Sequence, residues 1–148
     1  KDLEEPSREM FNYSNIFIAN QIFLSMGAAR YGPPATVEKS QRAMADFCGF
    51  LGLPRLKVEE GSGLSRRNRI TATQMVAVLD HFRPYHHLLP HEGGAWFKTG
   101  TLSDVKSMAG YLGLDHSRLL SFVIMLNGRH FGYRTRERIF ALIKKNLL

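Results

Sequence analysis

Trp96-Phe97-Lys98-Thr99-Gly100-Thr101-Leu102 is a short apolar lead into a Lys-Thr-Gly-Thr run, and it reads as the end of one strand and the opening of a turn. Two further strand candidates follow, Lys106 to Leu114 and Leu119 to Leu126. The second is an almost unbroken apolar run of the kind a central strand carries. Glu137 to Leu148 closes the chain as an amphipathic helix, with Ile139, Phe140, Leu142, Ile143 and Leu147 on its apolar side. Lys144 and Lys145 fall in its last turn, where cations suit the helix dipole. Strand, strand, strand, helix, with helices upstream, gives an α/β (α+β) fold: a small antiparallel sheet flanked by helices.

Upstream of that stretch, Ser7 to Gly27 places Met10, Phe11, Ile16, Phe17, Ile18, Ile22, Phe23 and Met26 at near-helical spacing, which is the pattern of one buried helix with Ser7 as its N-cap. Gly32-Pro33-Pro34 breaks the chain. Thr36 then opens a second helix with Ala43, Met44, Phe47, Phe50 and Leu51 on one face, stopped by Gly52 and Pro54. Leu56-Lys57-Val58 is a short strand candidate, and Glu60-Gly61-Ser62-Gly63-Leu64-Ser65 is a tight loop. Thr71 caps a third helix carrying Met75, Val76, Val78, Leu79 and Phe82 inward, and a loop rich in histidine and proline runs from Pro84 to Gly94.

The chain of 148 residues is 44% hydrophobic and 11% aromatic, enough for one globular domain with a core. Its net charge of +7 favours anionic partners. One cysteine, Cys48, excludes an internal disulfide and a multi-thiolate metal site, and its apolar neighbours mark an inert core thiol. No run approaches the roughly 18 apolar residues that span a bilayer, and Lys1-Asp2-Leu3-Glu4-Glu5 is unlike a secretion signal, so the chain reads as soluble. Its abrupt opening suggests a start inside a larger protein.

Four blocks in a fixed order carry a resemblance: Tyr13-Ser14-Asn15-Ile16-Phe17-Ile18-Ala19-Asn20-Gln21, Glu60-Gly61-Ser62-Gly63-Leu64-Ser65-Arg66, Phe97-Lys98-Thr99-Gly100-Thr101-Leu102 and Ser107-Met108-Ala109-Gly110-Tyr111. Together they resemble the class C penicillin-binding proteins, the D-alanyl-D-alanine carboxypeptidases and endopeptidases of peptidoglycan metabolism. The resemblance implies the C-terminal part of a β-lactamase/transpeptidase-like fold, with residues 1–148 forming a single partial penicillin-binding domain. It also implies a periplasmic or extracytoplasmic location, peptidoglycan peptides or β-lactams as ligands, and no cofactor.

Serine acyl transfer needs a nucleophile beside a base, a proton shuttle, oxyanion donors and a cation for the substrate's terminal carboxylate. Carried over by match, Lys98 would stand beside the nucleophile and bond to Ser14, the serine of a Ser-x-Asn motif. Thr99 and Thr101 would receive the D-alanine carboxylate across Gly100, the Thr101 backbone N–H would be half of the oxyanion hole, and Ser62 would line the cleft. Two departures stand out. Ile16 occupies the place of the motif's asparagine, and losing such a polar contact in a closed site costs on the order of 1–3 kcal/mol. On a continuous helix, Asn15 would be turned about 100° away from that place. The nucleophilic Ser-x-x-Lys is absent as well: Ser103-Asp104-Val105-Lys106 follows the Lys-Thr-Gly run directly, belongs to another block, has no helical pattern, and is read as a decoy. The chain by itself is therefore expected to be inactive, with a non-catalytic peptidoglycan-binding homologue as the alternative.

His81, His86, His87 and His91 are interrupted by Pro84 and Pro90 and joined by no cysteine, so they fit solvated loop histidines rather than a metal site. The arginine clusters Arg66, Arg67, Arg69 and Arg129, Arg134, Arg136, Arg138 lack interleaved aromatics or a recognition helix, which argues for solvated faces and against nucleic acid. A sheet with only three strands from this chain would leave an edge able to pair with a second copy or with an upstream segment.

Overall fold

Helical periodicity alone would carry one helix through Ser14, but the chain breaks there. The computed structural model describes residues 2–114, 118–132 and 134–147, and the chain forms two compact units, Lys1–Gln74 and Met75–Leu148. In the first unit, α1 (Glu4–Tyr13) ends at Ser14, whose φ of 52° and ψ of 43° are left-handed, and α2 (Ile16–Tyr31) starts afresh. Asn15 is the reason for the restart. Its Oδ1 accepts from the backbone N–H of Phe17 and of Ile18 at 3.1 Å each, the pattern of a strong N-cap. The expected single buried helix is thus two helices, with Leu3 rather than Ser7 at the first N-cap, and Tyr13 and Phe17 largely exposed.

Thr36 caps α3 (Val37–Phe50) as expected, its Oγ1 accepting from Lys39 N at 3.3 Å. Its inward face differs from the sequence reading. Ser40, Ala43 and Cys48 are buried, while Phe47 and Phe50 are exposed and stack on each other at 6.5 Å. Small residues set this contact: a Cβ on Gly27 of α2 would lie 2.8 Å from the Ser40 Cα, so the two helix backbones approach closely. Leu56 to Val58 does not form a strand; Lys57 and Arg69 make one isolated antiparallel bridge.

α4 (Ala72–Phe82), whose first turn belongs to the first unit and whose remainder to the second, leads into a 3-10 helix, Arg83–Leu88, and β1 (His91–Glu92), so the expected histidine loop is partly ordered structure. At the helix start Thr71 and Gln74 bond reciprocally, Gln74 N to Thr71 Oγ1 at 3.2 Å and Thr71 N to Gln74 Oε1 at 2.8 Å, which is a capping box. The antiparallel sheet runs in the order β1-β2-β3-β4, with β2 Ala95–Thr101, β3 Val105–Gly113 and β4 Leu119–Asn127. Among the described residues the sheet therefore has four strands, with β2 and β3 interior. β4 stands at one end of the order, contrary to the reading of its apolar run. That run is explained by β4's buried face, where Phe122 and Ile124 join Ala95, Met108 and Leu112 in the core. Helix α5 (Thr135–Leu147) covers this face with Ile139, Phe140 and Ile143, whereas Leu142 and Leu147 stay exposed. Phe140 stacks on Phe122 at 4.8 Å and meets Phe97 at 5.5 Å.

Candidate active-site residues

The Lys-Thr-Gly-Thr run lies inside β2 rather than in a turn. Lys98, Thr99, Gly100 and Thr101 pair with Ala109, Met108, Ser107 and Lys106 of β3, and the chain turns only at Leu102–Asp104, where Leu102 N donates to Val105 O at 2.8 Å. Ser103 is exposed in that turn, with no helix behind it. Strand geometry then fixes what each residue presents. Phe97 packs toward α5, so alternation puts Thr99 and Thr101 on the α5 face and Lys98 and Gly100 on the other. Phe97 N donates to Pro90 O at 3.0 Å and Leu102 N turns in to β3, so the N–H groups of Thr99 and Thr101 point to the outer edge of β2. Along that edge β1 pairs only with Trp96 and Ala95.

Two glycines of the resembling blocks lie in the β2–β3 pairing with close neighbours across the strands. A Cβ on Gly110 would sit 2.6 Å from Phe97 Cα, against backbone that cannot give way, whereas one on Gly100 would meet only the Ser107 hydroxyl, at 2.6 Å. Burial holds the Lys98 ammonium below the ordinary lysine pKa, and the Arg136 guanidinium pushes it the same way.

Arg136, read from sequence as a solvated cation, is largely buried at the start of α5. Its Nη1 donates to Gly100 O at 3.1 Å, Ser107 O at 3.1 Å and Thr101 Oγ1 at 3.3 Å. Its other edge, Nε and Nη2, holds Glu137 Oε1 at 3.0 and 2.7 Å. Burial would raise the Glu137 carboxyl, but the hydrogen bond from Arg136 and the nearby cations bring it below the usual range. Beside Thr99 lies a shallow cavity of about 350 Å³ lined also by Phe97, Glu137, Phe140 and Lys144. No local pattern marks Arg136 in the sequence, because its partners on the strands lie 29 to 36 residues away.

In the first unit, Ser14 is exposed at the α1–α2 break in a conformation that costs a non-glycine residue about 1–2 kcal/mol. Asn15 therefore does not sit one step round a continuous helix, and the geometric objection to it lapses, although its side-chain oxygen is committed to the cap. Ile16, at the first position of α2, is half exposed. The glycine–serine loop docks on the same helix: Gly61 N donates to Asn20 Oδ1 at 2.9 Å, and a Cβ on Gly61 would lie 2.5 Å from Ala19 O. Gly63, at φ 78°, supplies the left-handed step.

Glu60 organises that loop. Its carboxylate accepts from Ser62 N at 2.6 Å, Ser65 N at 3.1 Å, Asn68 Nδ2 at 2.8 Å and the Ser62 hydroxyl. Burial raises the Glu60 carboxyl pKa, yet these hydrogen bonds outweigh it and the net shift is downward. Ser62, expected as a ligand contact, thus has its proton directed to Glu60, and its oxygen accepts from Leu64 N at 3.3 Å. His86 and His91 flank Trp96, His91 stacked at 4.3 Å and still exposed to solvent, His86 edge-on at 5.2 Å and part-buried.

The fold of this arrangement is that of a penicillin-binding protein. Two crystal structures of penicillin binding protein 4 (dacB) from Haemophilus influenzae align with 98% and 97% of this chain at TM-scores of 0.77 and 0.82 and 21% and 22% identity; the first is complexed with a novel β-lactam. The chain spans 40% and 39% of those structures' length. No curated protein matches it in sequence. The model of the D-Ala-D-Ala carboxypeptidase 3 (S13) family matches residues 1–88, and the chain belongs to that family. Among the described residues no helix is long and apolar enough to cross a membrane.

Proposed function

We propose that this chain supplies the proton-relay and carboxylate-binding residues of a serine D-Ala-D-Ala carboxypeptidase or endopeptidase that acts on peptidoglycan peptides outside the cytoplasm. The observation that carries this reading is the β2 edge: the Thr99 and Thr101 N–H groups point outward beside a half-buried Lys98 whose pKa is depressed. A lysine more easily neutral accepts and returns a proton near neutral pH more readily than an ordinary one.

In the proposed reaction a serine outside these 148 residues attacks the carbonyl carbon of the penultimate D-alanine. The serine proton passes through Ser14 and Lys98 to the departing amine, free D-alanine leaves, and water then releases the acyl group. With a β-lactam the ring C–N bond breaks instead, its nitrogen takes the proton, and nothing leaves. The Thr101 N–H serves the oxyanion, and the hydroxyls of Thr99 and Thr101 hold the carboxylate. Ser62 acts through its loop, since its own hydroxyl is held by Glu60. A further strand, from elsewhere in the protein or from a second copy, would pair at the β4 end of the sheet.

The test is D-alanine release from a pentapeptide by the full-length protein that carries this chain. Lys98→Ala is expected to lower kcat on the order of 10² to 10⁴-fold; an unchanged kcat rules Lys98 out of the relay. A second reading, a binding protein without turnover, is favoured by one observation, the Ile16 side chain where the motif has an amide. Ile16→Asn discriminates: a gain in release identifies Ile16 as the obstacle, and no gain shows that it never was.

A further inference from the structure

We propose that Arg136 is a positioning residue that turns the proton of the Thr101 hydroxyl away from α5 and so favours ligands ending in a free carboxylate over esters and amides. This inference rests on the proposed function and deepens it. A threonine hydroxyl has one proton and two lone pairs, so in water it serves equally as donor or acceptor. Here the guanidinium Nη1 fills a lone pair of Thr101 Oγ1 from the α5 side at 3.3 Å, and an N–H that donates there repels the hydroxyl proton. The proton is left to point away from α5, toward whatever approaches the exposed end of β2.

The same nitrogen grips Gly100 O and Ser107 O, a cross-strand pair, so the hydroxyl and the Thr101 backbone N–H are set relative to each other by one side chain. Arg136 is fixed in turn. Glu137 clamps its Nε and Nη2, leaving Nη1 as the edge that faces the strand. A fork with two engaged edges is a geometry that arginine provides and lysine does not. A hydroxyl whose proton is turned outward beside a guanidinium matches a carboxylate, which accepts and carries charge. A neutral ester accepts more weakly, and an amide nitrogen presents a donor to a donor.

The experiment measures acylation rate constants of the full-length protein with a fluorescent penicillin and with its methyl ester, the penicillin carboxylate standing in for the terminal D-alanine carboxylate. Arg136→Met is expected to lower the acid-to-ester preference about tenfold or more, the effect of losing one charge-assisted hydrogen bond, with most of the loss on the acid. Arg136→Lys keeps the charge without the fork and is expected to fall between. A purely structural arginine would slow both ligands equally, and equal slowing in Arg136→Lys overturns the inference even if Arg136→Met fails to fold. No adduct on the wild-type protein with either ligand overturns the proposed function itself, whereas a wild-type adduct with an unchanged preference in the variants overturns only the role of Arg136.

Discussion

The two units hold their candidate residues by different means. In Lys1–Gln74 the Ser14 break and the Ser62 loop are held by side chains bonded to backbone: Asn15 caps α2, Asn20 receives Gly61 N, and Glu60 gathers Ser62, Ser65 and Asn68. In Met75–Leu148 the Lys98 strand is held by a backbone ladder over an apolar core, with Arg136 as a side-chain clamp on its end. Side-chain scaffolds depend on ionisation and on single residues; a ladder depends on how closely its strands approach. The first unit should therefore respond to pH and to polar deletions, and the second to added bulk.

The largest expected effect is on the ladder. Gly110→Val would force a Cβ against Phe97 Cα at 2.6 Å and part β2 from β3, with a cost of about 3 kcal/mol or more, read as a lowered urea midpoint. A midpoint within error of wild type would mean that the strands tolerate separation. Next is Glu60→Ala, which leaves two backbone N–H groups and the Asn68 amide without their acceptor and should cost about 2–3 kcal/mol. The sign of its pH dependence follows from a carboxyl whose pKa is lower in the folded protein. Its stabilisation is present above the ordinary glutamate value and is lost as pH falls through the lowered one. Wild type and Glu60→Ala should thus converge in acid, and a constant gap from pH 7 down to pH 2 would contradict that role.

Smaller effects sharpen the same contrast. Asn15→Ala removes the α2 cap and should cost about 1 kcal/mol, visible as a lower melting temperature and faster amide exchange at Phe17 and Ile18. Ser14→Gly relieves the left-handed strain and should leave stability unchanged or raise it by up to about 1 kcal/mol, while removing the hydroxyl from the proposed relay. A clear loss of stability would show that the Ser14 side chain supports the break.

What the sequence disclosed and what it hid divide along the same line. The strands after Lys98 were legible because their apolar runs are long, and α3 because Thr36 follows a Gly-Pro-Pro stop. The β4 run misled on position, since a strand at the end of a sheet can be as apolar as a central one when one face is buried under α5. The break at Ser14 was masked by apolar spacing that continues across it, although Asn15 just before an apolar run is itself a start signal. The inward face of α3 was misjudged because Gly27, Ser40 and Ala43 make the contact by being small, leaving Phe47 and Phe50 outside. Of the candidate site, the Lys98 strand was legible as a motif; Arg136 was not, because its role exists only once α5 lies over the ends of β2 and β3.

The most direct measurement is peptide mapping of the full-length protein after reaction with a fluorescent penicillin. The expected result is a single labelled serine outside these 148 residues, at the start of a helix and three residues before a lysine, with labelling slowed by Lys98→Ala. A label on Ser103, Ser62 or any other serine of this chain would contradict the assignment of these residues as the supporting part of the site.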